Sequence, residues 1–307
     1  MTRLLLKIFL FLLPIIIFNQ ILIWQGYLFS TKNDYLLIRN LKANAPAKLT
    51  VKVFGSSRVE NGISPEALEQ GFKKNGIEAA VFNCGMNGRI SGWGLQMFEK
   101  YSSPCDLAII EIMPDKSLTD QGRNLVAKLP PATMIDQLFV YHLNHFMVIH
   151  QLPNLLSDIR GRLPIRYMKA HRDGWTEACY YKEEKRLKPI REKIHLWAER
   201  DLLSKEFLNG FGEFVSTVKH LQKRTGCKII FLRMPVNGKT KLLNDQMLAE
   251  SLLADKIKHS FPDAVYIDAT TTEGLDKFVT VEESHLDSKN AVSFSYELGL
   301  NELVSKK

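Results

Sequence analysis

Residues 49–58 read Leu-Thr-Val-Lys-Val-Phe-Gly-Ser-Ser-Arg, and the fold prediction starts from them. Its first six residues form a short β-rich run, and Gly55-Ser56-Ser57 is a turn sequence. Behind the turn, Ser64 and Pro65 suit the N-cap and the first turn of a helix. The stretch therefore predicts a strand that passes through a turn into a helix, which is the repeating unit of an α/β fold.

The same alternation of strand and helix continues along the chain on the C-terminal side of this stretch. Four further β-rich runs lie at 79–83, 107–112, 228–232 and 265–268. Helical patterns lie at 95–101, 207–223, 244–259 and 288–304. Strands that alternate with helices predict a mainly parallel sheet with helices on both faces.

Between Lys116 and Lys205 the alternation stops. The sequence there consists of helical patches rich in His, Arg, Lys, Tyr and Trp, interrupted by Pro and Gly. We interpret 116–205 as a mainly helical insertion within one domain of residues 49–307, and not as a second domain. The insertion could cap a site, bind a partner or lie on a membrane surface.

The N-terminal segment from Leu4 to Phe29 carries one charge, Lys7, and is dominated by Leu, Ile and Phe. It is long enough to cross a hydrocarbon core of about 30 Å. A cleaved signal peptide would have a shorter apolar region followed by small residues, whereas Trp24 and Tyr27 suit the headgroup layer. We therefore predict a transmembrane signal anchor at 1–30 and a linker at 31–48; the alternative is a buried N-terminal helix.

The orientation of this anchor follows less directly, because basic residues flank it on both sides. Long domains are translocated largely regardless of charge, so we expect a single-pass protein with its N-terminus inside and its domain outside the cytoplasm. A reversed topology, with the domain in the cytosol, stays open.

The composition limits the classes of partner and cofactor. The chain has 41 Lys and Arg against 33 Asp and Glu, a formal net charge of +8, but the basic residues are scattered among acids and form no nucleic-acid motif. We expect a membrane bilayer and anionic polymers or headgroups as neighbours, and no nucleic acid. The four cysteines lack metal or redox spacing, so no metal site is expected, and a disulfide is allowed but cannot be assigned.

Three short motifs could carry chemistry. Ser57 lies where a strand gives way to a helix, the sequence Asn-Cys-Gly-Met-Asn-Gly follows the next strand at 83–88, and His285 stands three residues after Glu282. A histidine oriented by a carboxylate can take the proton of a serine hydroxyl. Taken singly, each motif is more typical of a turn, a cap or a surface histidine.

The order and spacing of these motifs resemble the SGNH (GDSL-like) hydrolase superfamily from about Leu49 to the end of the chain. Particularly similar is a membrane-anchored bacterial envelope type, through Gly-Ser-Ser-Arg at 55–58, Gly-Ile-Ser-Pro at 62–65 and the pair His285-Leu286. The resemblance implies a flavodoxin-like, three-layer α/β fold with a central parallel sheet, held in the inner membrane of a bacterium by one helix.

The resemblance also implies roles for individual residues. Ser57 matches the nucleophile and His285 the base, with Glu282 in the place of the usual aspartate. Gly88 and the Ser57 N–H match the oxyanion hole, and Asn87 is a further candidate donor. Asp115 stands where asparagine is expected, which is the more serious departure because a carboxylate there would repel an oxyanion.

Cationic and aromatic residues are the candidates for contact with a substrate. Arg233 follows a strand and should face the same edge as Ser57, Arg58 follows the nucleophile, and Arg172 and Trp175 lie in the insertion. The alternative interpretation of the segments that contain Arg233, Arg172 and Trp175 is solvated loops.

The sequence leaves two hypotheses about function. The first is a serine esterase or O-acyltransferase that needs no cofactor and acts on an envelope polysaccharide or a lipid-linked glycan, with a membrane-bound O-acyltransferase as a further partner implied by the resemblance. The second is a catalytically inactive scaffold for a polymer or membrane partner, which Asp115 favours.

Overall fold

The computed structural model describes residues 34–86, 93–101, 103–113, 166–171, 173–180, 184–205 and 208–301, together with six single positions between 7 and 17. The strands are β1 Leu49–Gly55, β2 Ala79–Gly85, β3 Leu107–Glu111, β4 Arg166–Ala170, β5 Thr176–Tyr180, β6 Lys228–Arg233 and β7 Val265–Asp268. The helices are α1 Asp34–Lys42, α2 Ser57–Gly62, α3 Pro65–Lys74, α4 Trp93–Tyr101, α5 Glu184–Ser204, α6 Phe211–Thr225, α7 Gly238–Ser251, α8 Leu253–Ser260 and α9 Ser288–Leu300.

The centre of the molecule is a five-stranded sheet in the order β2-β1-β3-β6-β7. All four strand pairs are parallel. With the hairpin β4–β5 left aside, this is the 2-1-3-4-5 order of flavodoxin-like folds. The predicted α/β class and its central parallel sheet are therefore confirmed.

Two hydrophobic cores lie on opposite faces of this sheet, because successive side chains of a strand point to opposite faces. On β1, Phe54 packs with Phe98 of α4 and Phe231 of β6 on one face. Its neighbour Val53 packs on the other face with residues of α3 and α9. The result is three layers, with helices covering both sides of the sheet.

Helix α1 lies within the segment that we expected to be a linker. Its Leu37 and Leu41 are buried in the first core. The fully buried side chain of Lys52 on β1 donates to Leu41 O and Ser103 Oγ, and burial lowers the pKa of Lys52. The expectation of a linker was therefore wrong for residues 34–42, since apolar residues at helical spacing dock this segment on the sheet.

The described part of the insertion contains α5, as the helical pattern indicated, and also an antiparallel β4–β5 hairpin that was not predicted. Gly174, with φ +92°, lies in the hairpin turn, where a Cβ would come within 2.1 Å of Asn83 O. Asn83 N–H donates to Asp173 O at 2.8 Å, so this turn covers part of the open edge of β2. Residues 114–165 of the insertion lie outside the described residues.

The predicted anchor at 1–30 also lies almost wholly outside the described residues. Within the described part of the chain, no helix combines the length and apolar character needed to cross a bilayer. The six described positions between 7 and 17 are helical. Among them, Leu10, Phe11 and Ile17 are each more than half exposed.

Candidate active site

Ser57 is the first residue of α2, directly after β1, at the carboxyl edge of the sheet. Ser56 is the N-cap, and its Oγ accepts a hydrogen bond from Arg58 N–H at 3.3 Å. Because β1 lies between β2 and β3, the chain leaves this edge at the position where strand order reverses. Open α/β sheets bind their ligands in the crevice at such a position.

Asn83 of β2 is one of the side chains that hold the six-residue helix α2 in place. Asn83 Nδ2 donates to Val59 O at 2.9 Å and to Ile63 O at 2.8 Å, and its Oδ1 accepts from Gly85 N–H at 2.9 Å. Carbonyl groups at the end of a helix lack partners within the helix. Asn83 gives Ile63 O a partner and adds a second donor to Val59 O, which also accepts from Ile63 N–H at 3.0 Å, and so fixes the helix that begins with Ser57.

A buried carboxylate fixes the turn before Ser57. Glu111, at the end of β3, accepts a hydrogen bond from Ser56 N–H at 2.6 Å. A Cβ on Gly55 would lie 2.5 Å from Glu111 Oε2 and 2.3 Å from Val59 Cγ2, so the turn has room only for glycine at this position. The sequence alone suggested no role for Glu111, although an acidic residue at the end of an apolar strand was a signal.

His285 is the residue that the structure places next to the Ser57 hydroxyl. Its Nε2 lies 2.8 Å from Ser57 Oγ, although 228 positions separate the two residues. The loop is closed by the hydrogen bond from Val281 N–H to His285 O at 2.8 Å. Asp287 then caps α9 through a bond from Asn290 N–H at 2.8 Å. The imidazole is therefore held by a short loop that is fixed at both ends.

Glu282 completes a hydrogen-bonded chain of three side chains. Its Oε1 binds His285 Nδ1, and the Glu282 side chain is 1% exposed. A carboxylate at Nδ1 favours the tautomer that carries its proton there, which leaves the Nε2 lone pair directed at Ser57 Oγ. The second oxygen of Glu282 has no hydrogen-bond partner within the described part of the chain.

The neighbouring residue Glu283 points away from this chain of side chains. Its backbone has φ +69°, and its Oε2 accepts from Thr240 N–H at 3.0 Å and lies 2.7 Å from His195 Nε2 of α5. Partial burial raises the pKa of Glu283, but hydrogen bonds from His195 and Thr240 outweigh it and leave the pKa below its ordinary value. The pair links α5 to the loop that carries His285, and no pattern in the sequence indicated it.

Arg58 and Trp175, two of the residues predicted to contact substrate, are buried. Arg58 Nε donates to Ser284 Oγ at 3.0 Å, which ties α2 to the His285 loop. Trp175 Nε1 donates to Asn61 O at 2.9 Å, and its ring belongs to the second core. These positions correct the expectation that both side chains are presented to a substrate.

Arg233 is the third such residue that the structure describes. Its Nη1 lies 3.0 Å from Asp268 Oδ2, and its Nη2 pairs with Asp245. The guanidinium is thus held by two carboxylates, one at the end of β7 and one on α7, and its side chain is 7% exposed. The remaining predicted residues, Asn87, Gly88, Asp115 and Arg172, lie outside the described residues.

The described residues contain no cluster of three or more His, Cys, Asp or Glu side chains that could hold a metal ion. Cys84, Cys105 and Cys227 are buried and unpaired by disulfides. Burial raises the pKa of Cys84 to about 12, with a smaller opposing effect of Lys52. A neutral, buried thiol is a poor nucleophile, so Cys84 is not a candidate for the reactive group.

Comparison with known proteins adds little to this geometry. No family model and no curated protein matches the chain. Among solved structures, the chain is similar to a lipase from a goat rumen metagenome, with 11% identity and a TM-score of 0.37 over 82% of this chain and 97% of that one. It is also similar to an acetyl xylan esterase from Butyrivibrio proteoclasticus, with 10% identity and a TM-score of 0.31 over 84% of this chain and 64% of that one. Likenesses at this level decide no question of activity.

Proposed function

We propose that the protein is a serine esterase or O-acyltransferase of the SGNH type that works at the bacterial cell envelope. The observation that carries the proposal is the hydrogen-bonded chain from Ser57 through His285 to Glu282 at the carboxyl edge of the sheet. Side chains in this order and geometry are the minimum needed to activate a serine hydroxyl, and the arrangement recurs on unrelated folds.

The first half of the reaction forms an acyl-enzyme. Ser57 Oγ bonds to the carbonyl carbon of an ester while its proton passes to His285 Nε2. The tetrahedral intermediate then breaks the bond between that carbon and the alcohol oxygen, which takes the proton from Nε2. Glu282 holds the imidazole and stabilises its positive charge during the step.

The second half transfers the acyl group. A water molecule or an acceptor hydroxyl gives its proton to His285 Nε2 and bonds to the acyl carbon. Ser57 Oγ leaves and takes the proton back. Water as acceptor makes the protein an esterase, and a sugar hydroxyl makes it an O-acyltransferase; both use the same side chains.

The oxyanion of each intermediate needs hydrogen-bond donors near Ser57. The Ser57 N–H belongs to the first turn of α2, whose N–H groups have no acceptor within the helix. By resemblance, Gly88 N–H and the side chain of Asn87 complete the hole. Asp115 would weaken such a hole only if its carboxylate faced the oxyanion.

The cellular part of the proposal rests on the apolar N-terminal segment. Residues 1–30 would anchor the protein in the inner membrane, with the domain outside the cytoplasm. The exposed Leu10, Phe11 and Ile17 support this, because a helix with apolar side chains in the open suits lipid better than water. The substrate would be an envelope polysaccharide or a lipid-linked glycan, and a membrane-bound O-acyltransferase would be the partner that supplies acyl groups.

Labelling with a fluorophosphonate tests the activated serine. The detergent-solubilised wild type should form one adduct, which peptide mass spectrometry locates on Ser57. Ser57→Ala should abolish the adduct, and His285→Ala should slow labelling by at least about 100-fold because the base is lost. Ser56→Ala is the matched control, since it removes the neighbouring hydroxyl and should still label.

A wild-type protein that is folded by circular dichroism but forms no adduct would contradict the esterase proposal. The non-catalytic scaffold would then be the better hypothesis. An adduct on Ser56 in place of Ser57 would contradict the assignment of the nucleophile.

A further inference from the structure

The chain from the end of helix α1 to β1 passes from the carboxyl end of the sheet to its amino end. Asn40 Nδ2 donates to Asn83 O at 3.2 Å, near the carboxyl end of β2. Later in the chain, Ala45 N–H donates to Thr50 Oγ1 at 3.4 Å, at the start of β1. Asp34, six residues before Asn40 in the helix, therefore lies further toward the carboxyl edge, by at most about 9 Å. The apolar N-terminal segment thus joins the domain on the side of the sheet where Ser57 lies.

Only residues 30–33 separate Asp34 from the apolar segment that ends at Phe29. Four residues in a fully extended chain span at most about 14 Å. If the apolar segment crosses a bilayer, the carboxyl edge of the sheet is held close to the membrane surface.

Helix α5 reaches the same edge from the insertion. Its Glu199 Oε1 lies 2.5 Å from Lys239 Nζ at the start of α7, and Lys205 Nζ lies 3.7 Å from Glu250 Oε2 near the end of α7. The second half of α5 therefore runs beside α7, which starts at the carboxyl edge because it follows β6. The first half, residues 184–194, precedes the start of α7 and so lies toward that edge; it contains Pro189, and Leu187 is its buried side chain.

The part of α5 at this edge has an exposed, basic surface with two large apolar side chains. Leu196 is 64% exposed and Trp197 is 47% exposed. Lys193 Nζ lies 4.8 Å from the centre of the Trp197 ring. Residues 184–194 contain five basic and two acidic side chains, a net charge of +3. Exposed Leu and Trp beside lysine and arginine are typical of helices that bind at the interface of anionic membranes.

We infer that the carboxyl edge of the sheet faces the bilayer, and that α5 binds the headgroup layer of membranes with anionic lipids through residues 184–194 and the Leu196–Trp197 pair. Two independent parts of the chain, α1 and α5, point to this one orientation. The inference rests on the proposed membrane anchor and deepens the proposed function.

The orientation specifies the class of substrate. A site at the membrane-facing edge is close to hydroxyl and ester groups carried by lipids and by lipid-linked glycans. It is turned away from polymer that has already left the membrane. The acyl donor or the acceptor is therefore a molecule held at the bilayer surface.

Fluorescence quenching in proteoliposomes tests the orientation. The full chain, with Cys179→Ser and Ser57→Ala, is labelled at a single new cysteine with a dye, and the vesicles contain phosphatidylcholine, phosphatidylglycerol and a headgroup-nitroxide lipid. Lys188→Cys and Leu196→Cys report on α5. Asp263→Cys is the matched control, because this exposed residue precedes β7 and lies at the opposite, amino edge of the sheet.

The labels at 188 and 196 should lose at least about half of their fluorescence, and the label at 263 should change little. Replacing phosphatidylglycerol by phosphatidylcholine, or adding about 1 M salt, should reduce quenching at 188, since screening weakens contacts with anionic headgroups. Equal quenching at all three positions, stronger quenching at 263, or none at any position would overturn the inference.

The Ser57→Ala background separates this test from the test of catalysis. The quenching pattern does not need an active serine. If the edge faces the membrane but the wild type never labels with fluorophosphonate, the esterase proposal is wrong and the orientation is supported. If the wild type labels on Ser57 but the quenching pattern is absent, the orientation is wrong and the esterase proposal is supported.

Discussion

Glu282 and Glu283 are neighbours in the chain, and each binds a histidine, yet the two pairs differ in every other respect. Glu282 binds His285 three positions away, inside one loop, and is almost fully buried. Glu283 binds His195, which is 88 positions away in the insertion. The first pair forms with local chain geometry, and the second exists only when the insertion is docked. The same two residue types thus complete a site in one case and join two parts of the molecule in the other.

The backbone at Glu283 separates the two side chains. A φ of +69° is uncommon for a residue other than glycine and turns the Glu283 carboxylate toward the start of α7. Gly238 makes room for it, because a Cβ at that position would lie 2.4 Å from Glu283 Cδ. The difference between the two pairs therefore depends on one unusual backbone angle and on one glycine.

The largest expected effect is on turnover. Glu282→Gln should lower kcat for a soluble ester by about 10³–10⁴-fold, because the amide no longer holds the imidazole in the reactive tautomer. Glu283→Gln is the matched control, with the same chemical change one residue away, and should cost less than about 10-fold. Equal losses in the two variants would show that the division of roles is wrong.

Gly238→Ala should separate the Glu283 carboxylate from its partners. The new methyl group forces the carboxylate to move and to give up bonds from Thr240 and His195, so the free energy of unfolding should fall by about 1–3 kcal/mol beyond the control. Gly226→Ala is that control. Both glycines have a positive φ, +54° at Gly238 and +70° at Gly226, but a Cβ added at Gly226 would meet nothing within 4 Å. Urea denaturation of both variants measures the difference; equal costs would contradict the role of Gly238.

His195 should matter for the docking of the insertion. His195→Ala is expected to speed cleavage of α5 by trypsin by about 3–10-fold, because local opening becomes easier once the contact is lost. His195→Gln keeps a side-chain donor and should restore most of the protection. Equal cleavage rates for wild type and His195→Ala would show that the contact between His195 and Glu283 does not hold the insertion in place.

The smallest expected effect is on how the stability of the fold depends on pH under acidic conditions. The pKa of Glu283 is lowered in the folded protein, so this carboxylate stabilises the fold above the unfolded pKa of about 4.5. The contribution is lost as the pH falls from there through the folded pKa. The melting temperature of Glu283→Gln should therefore change less with pH below about 4.5 than that of the wild type. If the melting temperatures of the two proteins fell by the same amount over this pH range, the prediction would be contradicted.

The sheet could be predicted because each strand is a short apolar run that stands out from its neighbours. The run 265–268 matches β7 residue for residue, and the others differ by one or two residues at their C-terminal ends. Ser57, Glu282 and His285 could be placed together because the order and spacing of their motifs resemble those of the SGNH superfamily. The structure brings these three side chains within hydrogen-bond reach.

Other features of the structure could not be predicted, because no pattern in the sequence indicates them. Helix α2 has only six residues, which is too short for a helical period to appear. The helical pattern at 244–259 is divided into α7 and α8 at Leu252, where φ is +50°. The contact between His195 and Glu283 depends on how two helices pack, and packing of distant segments cannot be read from local sequence. The expectation that Arg58 and Trp175 contact a substrate was wrong because burial, unlike charge or aromaticity, is a property of the fold.

Asn83 has a consequence for engineering the protein. Its backbone N–H binds the hairpin turn, its backbone carbonyl binds α1, and its side-chain amide binds α2. Deleting the insertion to obtain a smaller protein would leave that N–H without its partner and uncover part of an edge strand that other chains can pair with. Shortened variants should therefore keep 166–180 and remove sequence elsewhere.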